Sequence, residues 1–379
     1  PLPGGRGAVV GPVLAAAGGG ALALAWRVDQ PRAYEGIGLA VRDPGADALG
    51  APQTVADDSD GGVRHPAVAI DRRGDTILAY NTGTRASHLN ARGGVAIVLR
   101  AAGQPAGTAR IVDPGLSTPP AVAIGSEGRG IVAWSGNRHV YAVSVDAVAG
   151  IVGKVTTVAG ATGVDSLVAA AGPGGAATVA WVSRVASGQG RQYHQNSWIG
   201  VARRAPGHRF AHAAKVGATR DYLANVALAA DEDGTATLAW SPRAFHHRAT
   251  TTTSTATAAP GQPFGAPHVV VPGGAAECST PTVAAMSGRT VLAWSCEKTA
   301  GHTEFQAATG TPDPGPPTTI ATTNRGALVT PPPTALATLD EHGTATIFFV
   351  ESDPPGSPTG GTSHVLTVTS DPTTTNDPR

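Results

Sequence analysis

The 379-residue chain balances 27 Lys and Arg against 27 Asp and Glu, with 14% charged and 41% hydrophobic residues, 50 Gly and 31 Pro. That apolar content at so low a charge excludes a disordered chain, and no apolar run approaches the ~18 residues of a membrane-inserted helix. With zero net charge and three lysines (Lys154, Lys215, Lys298), a broad nucleic-acid or anionic-membrane surface is excluded as well.

Read in chain order, one phrase recurs: a short apolar run, a turn with Gly and often Asp, then a small-residue apolar run ending in an aromatic. The first, degenerate copy is VLAAAGGGALALAW, ending at Trp26. AVAIDRRGDTILAY ends at Tyr80, AVAIGSEGRGIVAW at Trp134 and LVAAAGPGGAATVAW at Trp181. VALAADEDGTATLAW ends at Trp240, TVAAMSGRTVLAW at Trp294 and ALATLDEHGTATIFF at Phe349. The seven anchors are spaced 54, 54, 47, 59, 54 and 55 residues apart. Two short apolar runs joined by a Gly/Asp/Ser turn predict a β-hairpin before each anchor. A third run follows each anchor (GIGLAVR, GVAIVLR, HVYAVSV, WIGVARR, TSTATAA, EFQAATG, HVLTVTS). A Gly/Pro connection then leads to a fourth (QTVA, ARIV, VTTV, AKVG, HVVV, TTIA).

Four strands per repeat, seven times, predict an all-β fold: a seven-bladed β-propeller with four-stranded antiparallel blades spanning residues 1–371. The pattern alone also permits a long antiparallel array. A helical solenoid is excluded, because no unit carries a helical stripe. Ala, Val and Gly in the first runs suit strands converging on an axis, and the anchor aromatics are expected to fill the space between blades. Closure of the last blade is left open. Gly7–Val10 is one candidate, Thr373–Asn376 within the Thr/Pro tail 372–379 is another, and a trimmed chain or a three-stranded blade are the others. The chain starts at Pro1, as a mature or cropped form would.

The two cysteines fall in the sixth unit. Folding its hairpin about Ser287–Gly288 brings Cys278 within one position of register with Cys296, an offset that a β-bulge absorbs. A disulfide and an extracellular or cell-surface location are therefore expected, against the alternative of two buried thiols.

Turns inside the hairpins are short, while the segments after the anchors and before the inner strands are long and differ between copies. Both long classes emerge at one face, where function is expected. The post-anchor segments hold His88, His139, Tyr193, His194, His246, His247, His302 and His364, with Trp198 at the edge of the longest, Ser183–Gly200. The pre-strand segments add Arg64, His65, Asp165, Asp221, Tyr222 and Ser279. Tyr193, His194, Trp198, Tyr222, His246, His247 and His302 are the candidate ligand-binding residues, and aromatic or imidazole groups there suit a sugar ring or a pocket. The bland reading is that His suits polar loops in a Lys-poor chain. His65, Asp165 and Asp221 form a minimal acid/base constellation of the glycosidic kind, set against chance placement of two acids. Asp57, Asp58 and Asp60 suit Ca²⁺ or simply a solvated acidic loop. DEDG at Asp231–Gly234 matches DRRG and DEHG in position and is read as a turn. No other cofactor or metal motif is present, and no GxSxG, HExxH, CxxC or phosphate loop occurs.

The phrase P-x-V-A-x-D-x-x-G-x-x-x-x-A-W, with G-x-P-F-G-x-P-x-x-V, is clearest at His65–Tyr80 and Pro260–Val271. It resembles secreted propeller-repeat proteins of high-GC actinobacteria, themselves loosely similar to sialidase-type propellers. The sialidase Asp-box joins the outer strands of a blade, whereas here the Asp-Gly turn joins the inner two, and no arginine triad maps. Sialidase activity is thus not implied. Two functions remain. One is an extracellular recognition or scaffold propeller for a glycan or protein. The other is an extracellular polysaccharide-active hydrolase or lyase using His and Asp.

Overall fold

The computed structural model describes residues 8–29, 36–56, 62–83, 94–113, 117–187, 194–219, 222–243, 252–271, 277–279, 281–299, 302–311, 313–323, 335–339, 344–352 and 363–370. Among them the chain is all-β, with helix limited to the 3₁₀ turns Gly18–Gly20 and Pro173–Gly175. It forms two compact units, Pro1–Trp181 with Val201–Ala213, and Val182–Gly200 with Ala214–Arg379.

The first unit holds three complete antiparallel sheets. The first is β1 (Ala8–Ala16), β2 (Leu22–Asp29), β3 (Gly36–Arg42) and β4 (Gln53–Ala56) in that order. The second is β5 (Val63–Ile70), β6 (Thr76–Thr82), β7 (Gly94–Arg100) and β8 (Arg110–Asp113). The third is β9 (Ala121–Ile124), β10 (Arg129–Gly136) and β11 (His139–Asp146), flanked by β12 (Ile151–Val152) and β13 (Thr156–Gly160). A fourth sheet, β14 (Val164–Ala171), β15 (Ala177–Ser187), β16 (His194–Arg204) and β17 (Ala214–Thr219), contributes strands to both units. The second unit holds β18 (Tyr222–Ala230), β19 (Ala236–Arg243), β20 (Thr253–Ala258) and β21 (His268–Val271) as the fifth sheet. The sixth is β22 (Glu277–Cys278) and β23 (Thr282–Met286) on one side of β24 (Arg289–Thr299), then β25 (His302–Gly310) and β26 (Thr318–Thr323). The seventh has three strands among the described residues, β27 (Ala335–Leu339), β28 (Ala345–Ser352) and β29 (Ser363–Ser370).

The second strands read as continuous apolar runs because both faces are covered. In β6, Leu78 and Tyr80 pack toward the first sheet with Ala23, Ala25 and Leu39, while Ile77 and Ala79 pack toward the third with Val132 and Trp134. The same two-residue period sends Trp181 onto Ile131 and Ala133 of the third sheet, and Trp294 onto Ala239 and Val270 of the fifth. These four anchors therefore point toward the preceding sheet. Six of the seven, all but Phe349, have described side chains, and each is buried. Neighbouring strands make room for the rings. Gly38 pairs with Trp26 across β2 and β3, and a Cβ there would collide with the indole.

Two expectations are corrected. Ala8–Val10 pairs with Arg27–Asp29 and so continues the first sheet's own inner strand, running through a register slip at Gly11–Pro12; it does not complete the last sheet. Ser183–Gly200 is not a loop over most of its length, since β15 runs to Ser187 and β16 starts at His194. Ser183 and Ser197 are both buried in this hairpin extension, and Ser197 Oγ accepts Leu223 N–H of β18. Thr373–Asn376 and the tail 372–379 lie outside the described residues.

Cys278 and Cys296 form the expected disulfide. They pair directly across β22 and β24, while β23 pairs one position out of step with that register, and the inner strand breaks between the two segments to absorb the shift.

Candidate functional site

Each inner hairpin has a closed end, the tight turn between first and second strands, and an open end where second strands leave and third strands begin. The closed ends are structural. Asp71 Oδ1 accepts the backbone N–H of Arg73 (2.9 Å) and Asp75 (3.0 Å), and its Oδ2 accepts Gly128 N–H (3.1 Å) from the third sheet's turn. Asp231 repeats this toward Gly288 of the sixth sheet, so DEDG is a turn and not a calcium loop. Asp43 of the first sheet takes a bidentate pair from Arg100 of the second, at 2.9 and 2.8 Å. The Arg100 hydrogen bonds hold the Asp43 carboxyl below the ordinary carboxylate range, against a smaller opposing effect of burial. Burial, with the Asp75 charge beside it, pushes Asp71 up.

The open ends of individual sheets carry several of the sequence-predicted residues. His65 sits near the start of β5 and is exposed, with φ at 50°. Its Nδ1 lies 3.3 Å from Asn81 Oδ1 on β6. Asn81 Nδ2 donates to Ser117 Oγ (2.7 Å) and Thr118 O (3.2 Å) in the segment leading to β9. Neither Asn81 nor Ser117 was singled out from sequence; the signal was the paired position of Asn81 opposite Arg64. Asp165 stands near the start of β14 and is exposed. Asp221 lies outside the described residues; the hydrogen-bonded partner of His65 is the Asn81 amide.

Trp198 is inside β16, half-buried, with Lys215 Nζ of β17 at 5.1 Å from its ring centroid. His139 follows a tight turn at Asn137–Arg138 rather than a long loop. Its Nδ1 lies 2.9 Å from Asn137 O, and its ring is 5.9 Å from Tyr141, which stacks on Trp134 at 6.1 Å. The backbones of His194, Tyr222 and His302 lie at the first residues of β16, β18 and β25. His364 is the second residue of β29. Tyr193, His246, His247, His88, Asp57, Asp58 and Asp60 lie outside the described residues. Ser279 is corrected to a structural role: it is buried, its Oγ accepts Ser295 N–H, and its own N–H donates to Ser295 O. Thr118 clasps Ser135 in the same way in the third sheet. Among the described residues, no three His, Cys, Asp or Glu side chains are grouped to hold a metal ion.

Away from this end, a groove of about 460 Å³ runs between Gln53–Ala56 and Ala106–Ala109. Gln53 Oε1 accepts Ala106 N–H there, and no titratable group lines it.

No family model and no curated protein matches the chain. Solved structures do. The chain is similar to an ulvan lyase of the new polysaccharide lyase family PL25, at TM-score 0.58 and 9% identity, over 92% of this chain and 90% of that one. The same enzyme bound to -[GlcA(1-4)Rha3S]- matches at TM-score 0.54 and 9% identity over the same shares. Polysaccharide lyase Uly1 matches at TM-score 0.51 and 10% identity, over 92% of this chain and 87% of that one. At such identities the likeness shows a shared propeller-like all-β fold.

Proposed function

We propose that the chain is one extracellular seven-bladed β-propeller, residues 1–371, that recognises a glycan at the open end of its sheets. Seven sheets with recurrent order, and a buried anchor aromatic in each of the six whose anchor side chain is described, support the ring. The Cys278–Cys296 bridge supports an oxidising compartment, as does the resemblance to secreted actinobacterial repeat proteins. The fold neighbours include enzymes that act on polysaccharides, one of them bound to an acidic, sulfated oligosaccharide.

The observation that carries the reading is Trp198. A half-exposed indole on a strand offers a flat apolar surface to the C–H groups of a sugar ring, and the Lys215 ammonium held over the ring supplies a cation for an acidic substituent. Tyr193, His194, Tyr222, His246, His247 and His302 are proposed as further contacts at this end. The test is a glycan array read with wild type and Trp198→Ala. Binding of at least one acidic oligosaccharide by wild type, weakened about tenfold in the variant, is expected. An array without hits, or a variant that binds every hit normally, overturns the reading.

A second reading, a polysaccharide hydrolase or lyase using His65, Asp165 and Asp221, is favoured by one observation, the oriented imidazole of His65. Product analysis of each bound polysaccharide separates the two: new reducing ends or unsaturated products identify the enzyme.

A further inference from the structure

The hydrogen-bond directions around His65 fix the chemistry of its ring. Thr118 O can only accept, so the end of the Asn81 amide that faces it carries the N–H groups. The other end, Oδ1, faces His65 Nδ1 and can only accept. The neutral imidazole therefore carries its proton on Nδ1 and leaves Nε2 as a lone-pair acceptor on an exposed residue. From this geometry we infer that His65 Nε2 is the acceptor for a ligand hydroxyl, the polar anchor of a carbohydrate at the open end of the second sheet. The inference rests on the glycan reading and adds the residue and the atom.

The backbone gives a second, independent argument. Register slips interrupt β1 between Val10 and Val13 and β5 between Arg64 and Ala67. The first encloses Gly11–Pro12 and the second His65–Pro66, so the two sheets place an X-Pro pair at the same point. His65 has φ at 50°, a conformation glycine adopts freely and a residue with a Cβ does not. The second sheet thus keeps an imidazole on a residue held in the left-handed region. Such strain concentrates at functional positions.

The substitution His65→Gly separates function from folding, because glycine suits the slip. The urea midpoint of the variant should equal or exceed that of wild type. Affinity for the oligosaccharides that wild type binds on the array should fall about tenfold. Independently of any ligand, a two-bond ¹H–¹⁵N correlation spectrum of the full chain should show the Nδ1–H tautomer at His65, and Asn81→Leu should release it. An Nε2–H tautomer, or wild-type affinity in His65→Gly, overturns the inference while leaving glycan recognition intact. An array without hits for wild type overturns the glycan reading and the hydroxyl ligand with it, and leaves the tautomer result to stand or fall by itself.

Discussion

Single side chains link successive sheets at the closed ends. Asp71 reaches Gly128 and Asp231 reaches Gly288, each 57 residues on, about one repeat. Replacing Asp71 by Ala strands three backbone N–H donors, at a cost of about 1–3 kcal/mol for such a loss; a urea titration reads it, and an unchanged midpoint would contradict the clasp. The two perturbed carboxylates act oppositely with pH. Asp43 has its folded value depressed, so its stabilising contribution is present above the unfolded value of about 3.9 and is lost as pH falls through the folded one. Asp71 has its folded value raised, so its ionisation works against the fold: full stability from this group holds below the unfolded value and is lost as pH rises through the folded one. Acid titration of Asp43→Asn should accordingly show a shallower loss of stability below about pH 4 than wild type. Parallel curves would remove the Arg100 pair from the account. At Gly38, valine has the better strand propensity but its side chain meets the Trp26 indole. Gly38→Val should destabilise by about 1–3 kcal/mol, as overpacking does, and a stabilised variant would show that the ring is not wedged there.

At the scale of elements, most strands were legible because each repeat writes its own turns. GIGLAVR and GVAIVLR became β3 and β7 residue for residue, and the Met286–Arg289 pairing followed from the turn alone. Cys278 was placed one position from register, and the break between β22 and β23 is the physical form of that offset. The Thr-rich run TSTATAA was legible as a strand as well: Thr253 and Thr255 are fully buried in β20, and Thr253 pairs with Ser241. What failed was the stretch Ser183–Gly200, where polar residues hid the extension of β15 to Ser187 and the start of β16 at His194. In the candidate site His65 was legible as an unusual residue before an inner strand, while Asn81 and Ser117 were not, since their meaning depends on a partner 16 or 36 residues away. The disulfide closes the open end of one hairpin over an 18-residue separation. Its removal as Cys278→Ser/Cys296→Ser should cost about 2–4 kcal/mol by thermal unfolding. A double variant as stable as wild type would leave the bridge without a structural role.

For the whole molecule, the account joins a proposed ring of seven sheets to a division of labour between its ends: carboxylate clasps at the closed ends, imidazole and indole groups at the open ends. A crystal structure of the full chain with the oligosaccharide that binds it best tests both halves together. The account predicts seven sheets about one axis, with the sugar at the open ends, its ring against Trp198 or a hydroxyl on His65 Nε2. Six or eight sheets, an unclosed array, or a sugar seated at the closed ends or in the groove beside Gln53 would contradict it.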